Sequence, residues 1–156
     1  MSVDKVKQYF KKYNMENRII EFNESSATVK LAAIALNTTE AQIAKTISLK
    51  RDNQILLIVC AGDTKIDNTK YKQEFNTKPR MLDKMEVETL VGHPVGGVCP
   101  FAINKDISVY LDESLKRFEF VYPACGSTNS AIKLTIEELE KYSNYIKWVD
   151  VCKLKD

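Results

Sequence analysis

Residues 91–101 form a loop whose composition could build a catalytic pocket. The loop contains three of the five glycines and two of the four prolines of the chain. Glycine lets the backbone adopt positive φ and approach a ligand closely, whereas proline fixes φ and stiffens the loop. Backbone N–H groups held in this way could stabilise an oxyanion during ester hydrolysis. A structural crossover between strands would use the same residues, so the loop alone leaves both interpretations open.

Lys45 is the second residue whose position suggests chemistry. It follows a predicted short helix over residues 39–43, for which Thr39 and Gln42 have the spacing of a capping box, and it leads into a strand. A lysine in such a place is usually a solvated surface charge. A cation at the mouth of a strand could instead hold a carbonyl or phosphate oxygen of a substrate.

Other chemistries find less support in the sequence. Neither G-x-x-x-x-G-K-[ST] nor G-x-G-x-x-G occurs, so nucleotide hydrolysis is not predicted. Cys99 lies six residues after His93, the only histidine, which keeps thiol catalysis as a hypothesis, although no cysteine-hydrolase signature surrounds either residue. The four cysteines are widely spaced and contain no C-x-x-C pair. We therefore expect no metal, no other cofactor and no disulfide.

Charge and hydropathy restrict the environment and the partner. No apolar run approaches the roughly 18 residues that span a bilayer, and the N-terminus lacks the apolar core of a signal peptide, so we expect a cytoplasmic protein without a membrane partner. A net charge of +2 is too small for a broad surface that holds duplex nucleic acid. Recognition of an RNA end remains compatible with it.

The elements that must position these residues are predicted from periodicity and capping. The predicted helices cover residues 3–14, 29–36, 39–43, 68–75, 83–91 and 136–142, and the predicted strands cover residues 18–22, 46–50, 55–60, 107–111, 118–122, 131–134 and 146–151. Hairpins outnumber clean strand–helix–strand alternation. The sequence therefore predicts a single α+β domain over residues 1–156, with a mixed, largely antiparallel sheet and flanking helices.

Several short motifs, taken in order, resemble the YbaK/EbsC family of trans-editing domains. They are Lys45-Thr46 entering a strand, Gly62-Asp63, Gly92 followed by Val95-Gly96-Gly97-Val98 and Pro100, and the glycine turn before residues 131–134. The resemblance covers about residues 1–152. The family is related to the insertion domain of bacterial prolyl-tRNA synthetase and removes wrong amino acids from tRNA.

The resemblance implies a pocket for the aminoacylated 3′ end of tRNA, without a metal or a catalytic triad. It implies that Lys45 positions the ester end and that Gly96 and Gly97 offer N–H groups to the carbonyl oxygen, while water or a substrate group attacks. The substrate-binding residues expected around them are Thr46, His93, Val95, Pro100, Phe101, Gly126 and Ser127. Prolyl-tRNA synthetase is a candidate partner, and tRNA(Pro) carrying a small amino acid is a candidate substrate.

Two positions depart from the members that edit cysteinyl-tRNA. Ala131 stands near an acidic residue of that subgroup, and Ala124 stands near a serine. The resemblance therefore implies alanyl, seryl or threonyl esters rather than cysteinyl-tRNA. A module that binds aminoacyl-tRNA or an RNA end without turnover is the alternative, because no self-sufficient nucleophile is evident.

Overall fold

The structure is a computed structural model that describes residues 2–156 and combines five α-helices with ten β-strands. The helices are α1 Ser2–Lys11, α2 Val29–Leu36, α3 Asn68–Phe75, α4 Lys84–Glu86 and α5 Ile136–Ser143. The strands are β1 Ile19–Glu21, β2 Ile43–Arg51, β3 Gln54–Ala61, β4 Thr64–Ile66, β5 Ile107–Asp112, β6 Phe120–Pro123, β7 Ser130–Ile132, β8 Leu134–Thr135, β9 Lys147–Val149 and β10 Cys152–Leu154. No helix in this part of the chain is long and apolar enough to cross a membrane.

A six-stranded mixed sheet in the order β8-β6-β2-β3-β5-β9 forms the centre of the fold. The β2–β3 hairpin is its longest pairing and is antiparallel, whereas β6, β5 and β9 join the sheet through parallel pairings. Two small antiparallel sheets, β1–β7 and β4–β10, flank it. Four of the seven strand pairs are antiparallel, which confirms the predicted α+β class.

Residues 55–61 of β3 are continuously apolar, as expected for a central strand that is buried on both faces of the sheet. Leu57, Val59 and Ala61 point to the face that α1 and α5 cover through Phe10 and Leu139. The intervening residues of β3 point to the opposite face, which α3 covers through Tyr71 and Phe75. Alternation along a strand sends neighbouring residues to opposite faces, so adjacent residues of β2 also belong to different environments.

Local signals explain where the helices begin and end. The Thr28 side chain accepts from the Leu31 N–H and starts α2, and Asp67 caps α3 in the same way. Asn37 and Asn76 follow these helices in the left-handed conformation that asparagine tolerates. The predicted bounds of both helices are therefore confirmed.

Several other helices and strands have bounds that differ from the predicted ones. Helix α1 ends at Lys11 rather than residue 14, and the helix predicted over 39–43 is a 3₁₀ turn at Glu40–Gln42 without a threonine cap. Residues 87–91 form a π-helix, in which the Gly92 N–H donates to the Val87 carbonyl at 3.3 Å. The strand predicted over 131–134 is divided between β7 and β8, and the one over 146–151 shortens to β9.

Candidate active site

The central strand β2 lacks a neighbour along one edge for a short stretch around Thr46. Strand β6 pairs with β2 only at Ile43 and Ala44, and beyond the gap the Leu82 N–H donates to the Ser48 carbonyl at 3.1 Å. Alternate residues of a strand direct both backbone groups to the same side, so Thr46, like Ser48, turns its N–H and C=O away from β3. Within residues 2–156 no backbone group meets Thr46 there.

The hydroxyl of Thr46 is also without a partner. Its Oγ1 is buried and has no hydrogen bond among the described residues. A buried polar group left unsatisfied costs about 1–3 kcal/mol. One residue therefore presents a backbone donor, a backbone acceptor and a hydroxyl to the same gap, which is an arrangement that a polar ligand could satisfy.

A cavity of about 300 Å³ opens at this gap. Its walls come from the segment before α2, from β2, from the segment that follows α3, from the glycine loop and from β7. The residues that line it are Ser26, Ala27, Thr28, Val29, Ala32, Ile43, Ala44, Lys45, Thr46, Ile47, Ser48, Met81, Leu82, Val87, Val95, Gly96, Val98, Ala124, Ser130 and Ala131. The volume is at the small end of ligand pockets, so the cavity suits a small group.

Lys45 is the only charged residue in that lining. It lies opposite Cys60 of β3, so its side chain starts on the face that α3 covers, whereas Thr46 starts on the other face. Its ammonium group donates to the carbonyl oxygen of Thr64. Burial lowers the pKa of Lys45 below its ordinary value, and the nearby Lys155 acts in the same direction.

The two adjacent glycines of the loop have different roles. Gly96 lines the cavity with φ of +91°, and a side chain there would lie 2.9 Å from the Cβ of Ala27. Its N–H has no acceptor among the described residues. The Gly97 N–H donates to the Pro94 carbonyl at 2.9 Å, so the donor role expected of both glycines is available only at Gly96.

Gly97 is required for packing instead. A Cβ at Gly97 would lie 2.6 Å from the backbone nitrogen of Ser127, and the Gly126 N–H donates to the Gly97 carbonyl at 2.9 Å. Gly126 and Ser127 therefore support the loop from behind and do not line the cavity. The Ser127 hydroxyl donates to Ser130 Oγ at 2.7 Å, which connects it indirectly to the cavity wall.

His93, Pro100 and Phe101 are buried away from the cavity, contrary to the expected binding role. His93 is 1% exposed and its Nε2 lies 2.7 Å from the Phe101 carbonyl. The Phe101 ring packs against Phe10 at 4.8 Å between ring centres. These residues form core, whereas Val95 is half exposed at the rim of the cavity.

The geometry of Cys99 and His93 argues against thiol catalysis. Cys99 Sγ lies 3.6 Å from His93 Nε2, but both residues are buried outside the cavity. Burial raises the pKa of Cys99 to about 12 and lowers the pKa of His93, so the thiol and the imidazole both stay neutral near pH 7. A neutral buried thiol is a poor nucleophile. Elsewhere in residues 2–156, no three His, Cys, Asp or Glu side chains group as metal ligands.

Several lining residues were not predicted as site residues. Ser48 could have been found, because it shares a strand face with Thr46. Ser26, Leu82 and Ser130 reach the cavity only through tertiary contacts between segments far apart in the chain. No local pattern marks them.

Comparison with known proteins identifies the family and the fold. Residues 23–142 match the model of the aminoacyl-tRNA editing domain. The uncharacterised protein YwhH of Bacillus subtilis is 51% identical over 154 residues, which cover 98% of each chain. A crystal structure described as a candidate trans-editing enzyme for prolyl-tRNA synthetase superposes with a TM-score of 0.87 at 25% identity, covering 97% of both chains. The crystal structure of the hypothetical protein APE2540 superposes with a TM-score of 0.84 at 27% identity, covering 96% of this chain and 99% of its own.

The family match and the fold thus define a small α+β editing domain. The chain belongs to the aminoacyl-tRNA editing domain family, and its fold is that of the YbaK-like members.

Proposed function

We propose that this protein is a free-standing deacylase that hydrolyses the ester of mischarged aminoacyl-tRNA. The observation that carries the proposal is the set of unpartnered groups of Thr46 at a small cavity whose only charged lining residue is Lys45. An aminoacyl ester has an ammonium group that donates and a carbonyl oxygen that accepts. These groups complement the exposed edge of β2.

The ammonium group of the amino acid would donate to the Thr46 carbonyl and hydroxyl. The ester carbonyl oxygen would accept from the Gly96 N–H, which would also stabilise the oxyanion as water adds to the carbonyl carbon. The C–O bond to the ribose then breaks, and the ribose oxygen takes the proton that the attacking water loses. The lining contains no carboxylate, imidazole or thiol that could activate its serine and threonine hydroxyls, so we expect attack by water or by a group of the substrate itself.

Lys45 would hold the RNA end of the ester. Its flexible stem lets the ammonium group exchange the Thr64 carbonyl for a ribose or phosphate oxygen of the substrate. The lowered pKa indicates that its charge is incompletely compensated in the free protein. A substrate oxygen would compensate that charge better than one carbonyl does.

The cavity favours a small amino acid. Ala44, Ala124 and Ala131 line it beside Val98, and its volume is about 300 Å³. Alanyl, seryl and threonyl esters fit this class, and a single methyl group would distinguish them by only about 1–3 kcal/mol. The similar structure described for prolyl-tRNA synthetase supports tRNA(Pro) as the substrate and that synthetase as the partner.

A panel of tRNAs charged with alanine, serine, threonine, cysteine or proline tests the proposal. We expect wild-type protein to release the amino acid from at least one small mischarged ester, and Lys45→Met to reduce that rate about 100-fold or more. Methionine keeps the length of the side chain and removes the charge. Lys11→Met, on the exposed surface of α1, is the matched control and should retain full activity.

A binding module without turnover is the second candidate. The absence of a carboxylate, imidazole or thiol from the cavity lining favours it. In the same panel, wild-type protein would then bind aminoacyl-tRNA and protect the ester from spontaneous hydrolysis. Ester loss that is unchanged in Lys45→Met would contradict the role of that lysine.

A further inference from the structure

A second concave surface lies beside α3, outside the candidate active site. Its lining consists of Asn68, Thr69, Lys72, Gln73, Lys78 and Pro79. All of these side chains except proline can donate hydrogen bonds, two of them are cationic, and none is acidic. This surface, here called the α3 groove, has the composition of an anion site.

The cations of the α3 groove are not neutralised by neighbours. Lys72 and Lys78 are exposed, and neither forms an ion pair within residues 2–156. The nearby acidic side chains are occupied elsewhere. Asp67 accepts from the first N–H groups of α3, and Glu74 pairs with Lys147 at 2.7 Å.

One segment of chain joins the α3 groove to the cavity. Lys78 and Pro79 line the groove, whereas Met81 and Leu82 line the cavity. The Lys50 N–H donates to the Arg80 carbonyl at 2.9 Å, which fixes this segment along the edge of β2. Three residues of extended chain span about 10 Å at most. That length equals roughly three stacked nucleotides at about 3.4 Å each.

We propose that the α3 groove binds backbone phosphates of the tRNA 3′ strand, roughly three nucleotides before the aminoacylated residue. This inference rests on the proposed function. Lys72 and Lys78 would contact the phosphates, and the exposed Arg80 lies between them and the cavity in sequence. These contacts carry no base specificity and set the register that delivers the ester to the cavity.

Salt-dependent binding of uncharged tRNA(Pro) tests the inference without requiring turnover. We expect Lys72→Ala/Lys78→Ala to weaken binding on the order of tenfold near 0.1 M salt, and to reduce the slope of log affinity against log salt by about 1.4, or about 0.7 for each single-strand phosphate contact. Fluorescence anisotropy measures the affinity and its salt dependence. The titration covers about 50 to 200 mM salt, the range over which phosphate contacts weaken.

The double variant Lys11→Ala/Lys12→Ala removes the same charge from the end of α1, across the sheet from α3. It should leave affinity within about twofold of wild type, because distant exposed charges are screened. Equal weakening by both double variants, or no weakening by either, would overturn the proposal. Unchanged circular dichroism and melting temperature show that the variants fold.

Kinetics separate this inference from the proposed function. With full-length mischarged tRNA, Lys72→Ala/Lys78→Ala should raise KM about tenfold and leave kcat unchanged. With aminoacyl-adenosine, which lacks the distal phosphates, it should match wild type. If wild-type protein binds tRNA with this salt dependence but hydrolyses no ester, the deacylase proposal fails and the α3 groove stands.

Discussion

At the scale of single residues, the cavity contains groups whose burial costs stability. Thr46 has an unpartnered buried hydroxyl, and the pKa of Lys45 is lowered by burial. A buried hydroxyl without a partner is destabilising relative to a methyl group of the same shape. Such costs are typical of sites that await a ligand, and they make the assignment of Thr46 testable through stability as well as activity.

Thr46→Val replaces the unpartnered hydroxyl with a methyl group. We expect the free energy of unfolding to stay equal to wild type or to rise by up to about 1 kcal/mol, while deacylation falls. Thr64→Val is the contrasting variant, because the Thr64 hydroxyl donates to the Ala61 carbonyl at 2.7 Å and its loss should cost about 1 kcal/mol. Urea titration measures both changes. A loss of stability in Thr46→Val equal to that in Thr64→Val would contradict the assignment.

The sequence predicted some of these residues and not others for identifiable reasons. The glycine content of the loop and the position of Lys45 before a strand made Gly96 and Lys45 candidates, and the family resemblance suggested their roles. The unpaired edge at Thr46 depends on where β6 stops and where Leu82 resumes pairing, which are non-local facts. The residue type of His93 suggests chemistry, but the core encloses this side chain outside the cavity lining.

At the scale of elements, one carboxylate connects a helix cap to the body of the protein. Glu138 at the start of α5 accepts from the Thr135 N–H at 2.9 Å and from Arg18 at 2.6 and 3.0 Å. The Arg18 guanidinium holds the pKa of Glu138 to about 2, below its ordinary 4.5. A carboxylate whose pKa is lowered by folding stabilises the fold at pH values above its pKa in the unfolded chain. This stabilisation is lost as the pH falls through its pKa in the folded protein.

Glu138→Gln should therefore destabilise the protein only where the carboxylate is ionised. Glutamine keeps an oxygen for the Thr135 N–H and removes the charge that faces Arg18. Because the pair is partly exposed, solvent screens it, and we expect a loss of about 1 kcal/mol at pH 7 that shrinks between pH 4.5 and about 2. Denaturation at several pH values measures it. A difference that persists below pH 2 would show that the helix cap, not the charge, is responsible.

Elements with local signals were predicted well, and those that depend on distant partners were not. Capping threonine and aspartate, followed by left-handed asparagine, bounded α2 and α3. The short strands β4 and β10 were missed, because three residues carry little periodicity and their pairing joins segments far apart in the chain. The sequence predicts an ordinary helix where the π-helix before Gly92 lies, because either kind of helix would bury Val87 and Val91.

At the scale of the whole molecule, all four cysteines are enclosed by the fold. Their exposure ranges from 0% at Cys60, Cys99 and Cys125 to 5% at Cys152. All four are free thiols in the described residues. Reaction of such thiols with a bulky reagent requires the structure to open.

Alkylation should therefore be slow in the folded protein and complete in denaturant. We expect iodoacetamide to leave deacylation unchanged under native conditions, and Cys99→Ser to retain activity if it folds. Mass spectrometry before and after addition of urea counts the modified thiols. Rapid inactivation with one equivalent of label on Cys99 would restore the thiol mechanism.

The fold class was predictable from hairpin and helix patterns, whereas the cavity was not. Its walls combine Ser26, β2, Leu82, Gly96 and Ala131, which are brought together only by the completed sheet. The resemblance supplied the approximate location, and the structure identified which groups remain free to bind.

The gap beside Thr46 has a consequence for solubility. An uncovered strand edge is a template on which another chain can add its own strand, which leads to aggregation. Here the free stretch is confined between the pairing of Ala44 with β6 and that of Ser48 with Leu82, and it opens into a cavity of about 300 Å³. An incoming polypeptide needs several consecutive residues to form a ladder, whereas a single aminoacyl group needs only one. The recess thus leaves room for a small group beside β2 but not for the strand of another chain.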